Sequence, residues 1–277
     1  MVVVRDRGRV AMARRGQEAL NPLSRAIAVL EEVAQHRTAP SFSTLLQRTA
    51  LPKSSLHRIL KTLVEERLLE FSPEENGYRL GLRLAGLSLK AIHGLGIRDA
   101  VRPEIETLSR ALQENVLVAQ RDDTQLVYVD RIQSQQTLQM ISQLGNNAPL
   151  HCTGLGKVLL AFSDPATRAG LLTRLTLTRF TENTLCTTEA LAAELAAIRE
   201  AGFAVDRCEH QPEVHCIAAP IARVGDMGYA AISISAPVFR VSHERLLSWL
   251  PQLLDTAATI TLKLGGAVSA HRDPGRT

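Results

Sequence analysis

Between Ser43 and Glu66, apolar residues recur at helical spacing. Leu56, Ile59, Leu60, Leu63 and Val64 fall at i, i+3, i+4, i+7 and i+8, a single stripe along one helix. The opposite face carries Ser54, Ser55, His57, Arg58 and Lys61, preceded by Lys53. Pro52 stands at the start, where a missing N–H costs least. The pattern predicts short helices over 43–50 and 53–66 with a sharp turn between them. A first helix is predicted over 22–37, with Asn21 as its cap, Pro22 in its first turn, and Leu23, Ile27, Leu30, Val33 and Ala34 as its buried stripe. After the third helix, Leu68–Phe71 and Tyr78–Leu80 flank a turn containing Pro73 and Asn76-Gly77, which predicts a hairpin. Three helices and a hairpin make a winged helix-turn-helix, whose third helix suits a DNA major groove. Arg79, beside the wing, is placed to meet a phosphate or the minor groove.

Beyond the hairpin the period changes. Residues 81–93 read as an apolar helix with few charges, too polar to span a membrane, and burial against a second copy of itself explains it. Gly94-Leu-Gly96 is a natural hinge. A helix is predicted over 99–113, followed by strands at Val116–Gln120, Leu126–Ile132 and Thr137–Ser142. Further helices are expected at 157–162, at 165–172 behind Asp164-Pro165, and at 189–201 capped by Thr188 and ended by Gly202. Strands at Phe203–Cys208, Cys216–Ala222 and Tyr229–Ser235 precede a closing helix over 242–264. Short turns and alternation imply antiparallel pairing. The fold class is therefore α+β. A disordered basic arm (1–20) leads into a helix-turn-helix domain (21–81), a linker helix (82–98), a second domain (99–266) and a tail (267–277).

Charge sharpens this division. Residues 1–98 hold 16 Lys and Arg against 9 Asp and Glu, a net of +7, and the remainder holds 16 against 19, a net of −3. A basic N-terminal third joined to a mildly acidic remainder fits a nucleic-acid-binding module attached to something else. At 4% aromatic content, a stacking platform for single strands is disfavoured. No signal-like or membrane-spanning stretch is present in the sequence, and the four cysteines form no CxxC pair, which suits a cytoplasmic protein with reduced thiols.

Several separated motifs, in order, resemble the IclR-type bacterial transcription regulators. Leu51-Pro-Lys-Ser-Ser-Leu-His-Arg-Ile-Leu60 resembles that family's entry to the recognition helix, and Tyr78-Arg-Leu-Gly81 its wing exit. Pro149-Leu-His-Cys-Thr-Gly-Leu-Gly-Lys-Val-Leu-Leu-Ala161 is similar to its pocket helix. Gly202, Asp206, Glu209 and Cys216-Ile-Ala218 match its signature. The resemblance covers residues 22–266. It implies a GAF/PAS-like effector domain, an antiparallel sheet flanked by helices, behind the winged helix-turn-helix. It further implies a homodimer or dimer of dimers on a palindromic operator in double-stranded DNA, switched by a small metabolite, often an organic or sugar acid, with no cofactor. The implied effector residues are Gly154, Leu155, Asp206, Cys216, Ser233 and Ser235, with Met140 and Leu144 as wall.

The residues support that assignment in part. Gly154 and Gly156 allow close backbone approach at a helix start, and Ser233 and Ser235 alternate onto one face of a strand. Asp206 would repel an anion, and suits a ligand hydroxyl or backbone donors instead. Lys157, taken alone, reads as a solvated helix cation. Three positions depart from the family pattern: Glu213 stands where Gly is usual, Ala222-Arg223 replaces an aromatic-acidic pair, and Cys208 stands where an acid is frequent. A positive φ at 213 would disfavour Glu, so the loop there is expected to differ.

Two other functions compete. His151, Cys152, Cys208, His210, His215 and Cys216 offer imidazole and thiol groups for a metal or redox sensor, though their spacing is not that of a compact metal site. Cys216 beside His215 suggests a nucleophile and base, but neighbours on a strand point to opposite faces, so no enzyme is expected.

Overall fold

The computed structural model describes residues 21–87, 97–134, 147–221 and 229–265. The chain divides into two compact units, with the division between residues 91 and 92.

In the first unit, Asn21 caps α1 (Pro22–Ala34), its side-chain oxygen accepting the Ser24 N–H at 2.8 Å. The buried stripe of α1 differs from the one predicted. Leu23 and Ile27 are 68% and 44% exposed, whereas Val29 is fully buried beside Val33. Two apolar rows overlap on this helix, and packing selects the one that faces the other helices. Ser41 caps α2 (Phe42–Thr49), which ends at Ala50 in the left-handed region. The third helix, α3 (Lys53–Glu65), follows directly. Leu45 of α2, Leu56, Leu60 and Leu63 of α3, and Val29 and Val33 of α1 close one core with Leu69.

Strand β1 (Leu69–Ser72) pairs antiparallel with β2 (Gly77–Leu80), Phe71 opposite Tyr78, one residue further along than predicted. The wing is held against the turn before α2. Tyr78 N–H donates to the Pro40 carbonyl at 3.0 Å, and a Cβ on Gly77 would stand 2.2 Å from the Ala39 oxygen, so only glycine fits there. Residues 82–87 form α4, with Leu82 80% and Leu87 52% exposed; the rest of the predicted linker helix lies outside the described residues.

The second unit is one antiparallel sheet between two helical layers. α5 (Ile97–Leu112) leads into β3 (Asn115–Asp122), β4 (Gln125–Ile132) and the short β5 (Asn147–Pro149). α6 (Gly154–Ala161), α7 (Pro165–Arg174) and α8 (Thr188–Ala201) follow, then β6 (Ala204–Asp206), β7 (Val214–Ile221), β8 (Ala230–Pro237), α9 (His243–Ser248) and α10 (Leu250–Lys263). The strand order is β5-β4-β3-β8-β7-β6. Alternate residues of each strand serve opposite faces. Val116, Val118, Ile217, Ile232 and Ile234 pack with α5, α9 and α10, whereas Leu117, Ala119, Ala218 and Ala231 pack with α6, α7 and α8. Buried Asp130 of β4 ties α5 to the sheet, accepting from Arg102 Nη1 at 2.9 Å and from the Arg131 N–H at 2.8 Å.

Boundaries moved where chemistry outside the local pattern decides them. Thr153 accepts the Gly156 N–H, so α6 starts a turn earlier than predicted. Thr187 rather than Thr188 caps α8. The closing helix is two helices, broken at Trp249 because Pro251 has no N–H to continue the first. Positive φ falls on Cys208 (60°), not on Glu213, so glutamate at 213 carries no backbone strain. The predicted strand 137–142 and the position of Ala222-Arg223 lie outside the described residues.

Candidate recognition helix and ligand pocket

With Leu56, Leu60 and Leu63 buried in the core, α3 can turn only its other face outward. That face presents Lys53, Ser54, His57, Arg58 and Lys61 to solvent, with Ser55 half-buried at its margin. His57 meets the edge of the Phe42 ring, centroids 6.3 Å apart. Lys61 and Glu65 stand 3.8 Å apart, both well exposed, a pair of negligible strength. Arg58 has no acidic partner among the described residues. Arg79 is committed differently. It pairs with Glu75, whose other oxygen accepts the Ala39 N–H at 2.7 Å, so Arg79 also braces the wing. Those two donors hold the Glu75 carboxyl below its ordinary range.

In the second unit, sheet register assembles side chains that are far apart in sequence. Asp206 lies opposite Cys216, Cys216 opposite Ser235, and Ser235 opposite Asn115, one row across four strands. The next row is Ala218, Ser233 and Leu117. The first turn of α6 lies on these rows: a Cβ on Gly154 would approach the Cys216 sulfur and the Ala218 methyl to 3.3 Å. Gly156 is tighter still, its missing Cβ replaced by the Leu150 backbone at 2.4 Å.

Gly154, Leu155, Asp206, Cys216, Ser233 and Ser235 line one pocket of about 420 Å³, open mouth included. Tyr128, Gln211, Leu117, Thr153 and Val214 also line it, none of them expected there from sequence, as does His210, which the sequence offered only as a metal or redox group. Met140 and Leu144 lie outside the described residues. Ser233 Oγ is buried and has no hydrogen-bond partner.

Lys157 corrects the sequence reading. Far from being solvated, it is fully buried. Its Nζ donates to Glu209 at 2.5 Å, to Glu194 at 2.9 Å and to the Val205 carbonyl at 2.8 Å. Glu209 in turn gives its backbone N–H to Asp206 Oδ1 at 2.8 Å. A signal was present in the sequence. α6 is buried all round, and a lysine on such a helix must find buried partners. Burial, opposed by the Glu209 N–H and reinforced by the Glu209 charge, pushes the Asp206 carboxyl up to about 7. Burial also raises the Cys216 thiol well above its usual range, so the thiol rather than the thiolate faces the pocket.

Of the cysteines and histidines proposed as a metal or redox centre, Cys216 and His210 line the pocket and His215 does not. His215 lies on the opposite face of β7 from Cys216, 6.3 Å from the His243 ring between centroids. Its pKa is lowered by burial and by His243. Among the described residues no group of three or more His, Cys, Asp or Glu is arranged to hold a metal. No helix among them is long and apolar enough to cross a membrane.

A winged helix-turn-helix joined to an α+β unit with a small-molecule pocket is the architecture of a ligand-responsive DNA-binding regulator. The bacterial transcriptional regulator IclR C-terminal model matches residues 89–262, and the IclR helix-turn-helix domain model matches residues 22–73. The chain belongs to the IclR family of transcription regulators. It is 30% identical to the HTH-type transcriptional repressor AllR of Escherichia coli over 274 residues, 98% of this chain and all of that one. It is 29% identical to the regulator KdgR of the same organism over 248 residues, 90% of this chain and 94% of the other. Among solved structures, an IclR homolog from Microbacterium hydrocarbonoxydans, complexed with 4-hydroxybenzoate, superposes with a TM-score of 0.75 at 27% identity, covering 88% of this chain and 99% of that one. The relatives are named as regulators and repressors, not enzymes.

Proposed function

We propose that this protein binds operator DNA through α3 and that a small organic or sugar acid in the pocket of the second unit changes that affinity. Lys53, Ser54, Ser55, His57, Arg58 and Lys61 meet bases and phosphates, with Arg79 at the wing. Gly154, Leu155, Asp206, Cys216, Ser233 and Ser235 hold the effector. The observation that carries the reading is the pocket itself: six residues from four chain segments, three strands and one helix start, brought to one cavity, with a buried hydroxyl awaiting a partner. The relative complexed with 4-hydroxybenzoate supports an acid as ligand. The exposed Leu82 and Leu87 of α4 support self-association, and a homodimer or dimer of dimers would read a palindromic operator with two copies of α3. The protein acts in the cytoplasm, without a cofactor.

The test begins by selecting binding sequences from a randomised DNA pool with the full chain. Arg58→Ala, measured on the selected site by fluorescence anisotropy, is expected to lose about 1–3 kcal/mol, roughly 5–150-fold in affinity. The Trp249 fluorescence of the second unit should be unchanged. Full affinity in the variant would remove α3 as the reading helix.

A further inference from the structure

We propose that Asp206 enters ligand binding as a neutral acid, sharing its proton with the carboxylate of a small monocarboxylate, so that the pocket takes up the anion together with one proton. This rests on the pocket reading above and adds the charge state in which the pocket works.

The geometry points to it in three ways. First, among the described residues the lining contains Asp206 and no lysine or arginine. Lys157, behind the pocket, is fully buried and committed to two carboxylates and a carbonyl. Counting Lys157 against Glu209 and Glu194, the cluster behind the pocket is already one charge negative before Asp206 is included. Arg207 reaches Glu194 only at 3.6 Å and from solvent. Second, the two oxygens of Asp206 differ. Oδ1 accepts the Glu209 N–H, while among the described residues Oδ2 is met only by the Cys216 thiol at 3.4 Å, a weak donor that itself lines the pocket. Oδ2 is therefore the atom with capacity to spare for a ligand. Third, Ser233 is 1% exposed, lines the same cavity and has no partner for its hydroxyl. With Ser235 it offers donors suited to a carboxylate.

An anion between these hydroxyls and an ionised Asp206 would meet a like charge in a buried site. Protonation removes the conflict: Asp206 carries O–H on Oδ2, the ligand oxygen accepts it, and the proton comes from solvent wherever Asp206 was ionised. No covalent bond changes. Glu209 from the following loop adds negative charge, and Tyr128, Cys152 and Cys216 stay neutral because burial raises each of them. Lys157 from α6 is the one opposing charge. His210 also lines the pocket, and its contribution is separated by experiment. A hydroxyl-bearing neutral ligand would instead donate to an ionised Asp206 and bind better as pH rises.

The experiment is calorimetric titration of the full chain with acetate, pyruvate, benzoate and 4-hydroxybenzoate from pH 5.5 to 9. Each titration above neutrality is repeated in two buffers of different ionisation enthalpy. Affinity for the acid that binds should be level below about pH 7 and fall about tenfold per pH unit above it, with close to one proton taken up at pH 8. Asp206→Asn, which offers an N–H donor at every pH, should flatten the profile, and His210→Gln should leave the slope in place. Binding without proton uptake, affinity that rises with pH, or a slope that survives in Asp206→Asn overturns the inference while leaving the pocket standing. If none of the four acids binds at any pH, the pocket reading fails and this inference with it.

Discussion

Replacing Lys157 by methionine tests whether the second unit depends on its buried cation. The side chains are similar in length, so little cavity is created, and what is lost is charge. Glu209, with a side chain 4% exposed, loses the 2.5 Å contact that neutralises it, and its second oxygen already has no partner. Glu194, at 24% exposure, is partly rescued by water and by Arg207. The Val205 carbonyl loses its 2.8 Å donor. Removing one partner of a buried pair costs about 3–5 kcal/mol, because an uncompensated charge remains. The domain, at a typical stability of about 5–15 kcal/mol, should survive in weakened form. The assay is urea unfolding followed by fluorescence of Trp249, the single tryptophan, which packs in the core of the same unit. Adding Glu209→Gln should return about 1–3 kcal/mol of the loss. A single-variant loss below about 1 kcal/mol, or no recovery in the double variant, would refute the ion cluster as a structural element of this domain.

Gly156→Ala should lower the melting temperature of the second unit, because a Cβ would press on Leu150 backbone atoms at 2.4–2.7 Å, and overpacking costs about 1–3 kcal/mol or more. Gly170→Ala, on α7 with open space around it, should instead be neutral or stabilising by up to about 1 kcal/mol in the same thermal scan. Leu60→Ala should cost the helix-turn-helix unit about 2–5 kcal/mol by circular dichroism while leaving the Trp249 transition in place. Asp206 is the pH-sensitive case. Its folded pKa of about 7 stands above the unfolded value, so the native state holds the extra proton between about pH 4 and 7, and stability falls as pH rises through that window. Asp206→Asn should gain on the wild type across it, by at most about 4 kcal/mol above pH 7; parallel pH profiles from urea melts would contradict this.

The parts legible in the sequence are those that local chemistry decides. Asn21 before Pro22 announced a capped helix, and the stripe on α3 named the face that packs and so the face that does not. Neighbouring positions on a strand separated His215 from Cys216 before any coordinates did. The pocket was legible only through family likeness, because what makes it is register: Asp206, Cys216 and Ser235 come from three strands whose alignment no single stretch encodes. Lys157 shows the same limit from the other side. In isolation, a lysine on a helix is a surface residue, and only the acids brought to it by α8 and by the loop after β6 make burial tolerable. The same acids set the charge around Asp206. The repulsion expected between Asp206 and an anionic ligand assumed an isolated carboxylate, whereas a carboxyl buried behind an excess of negative charge holds its proton near neutrality. Under the proposed proton sharing, the residue that argues against an acid as ligand becomes a donor for one.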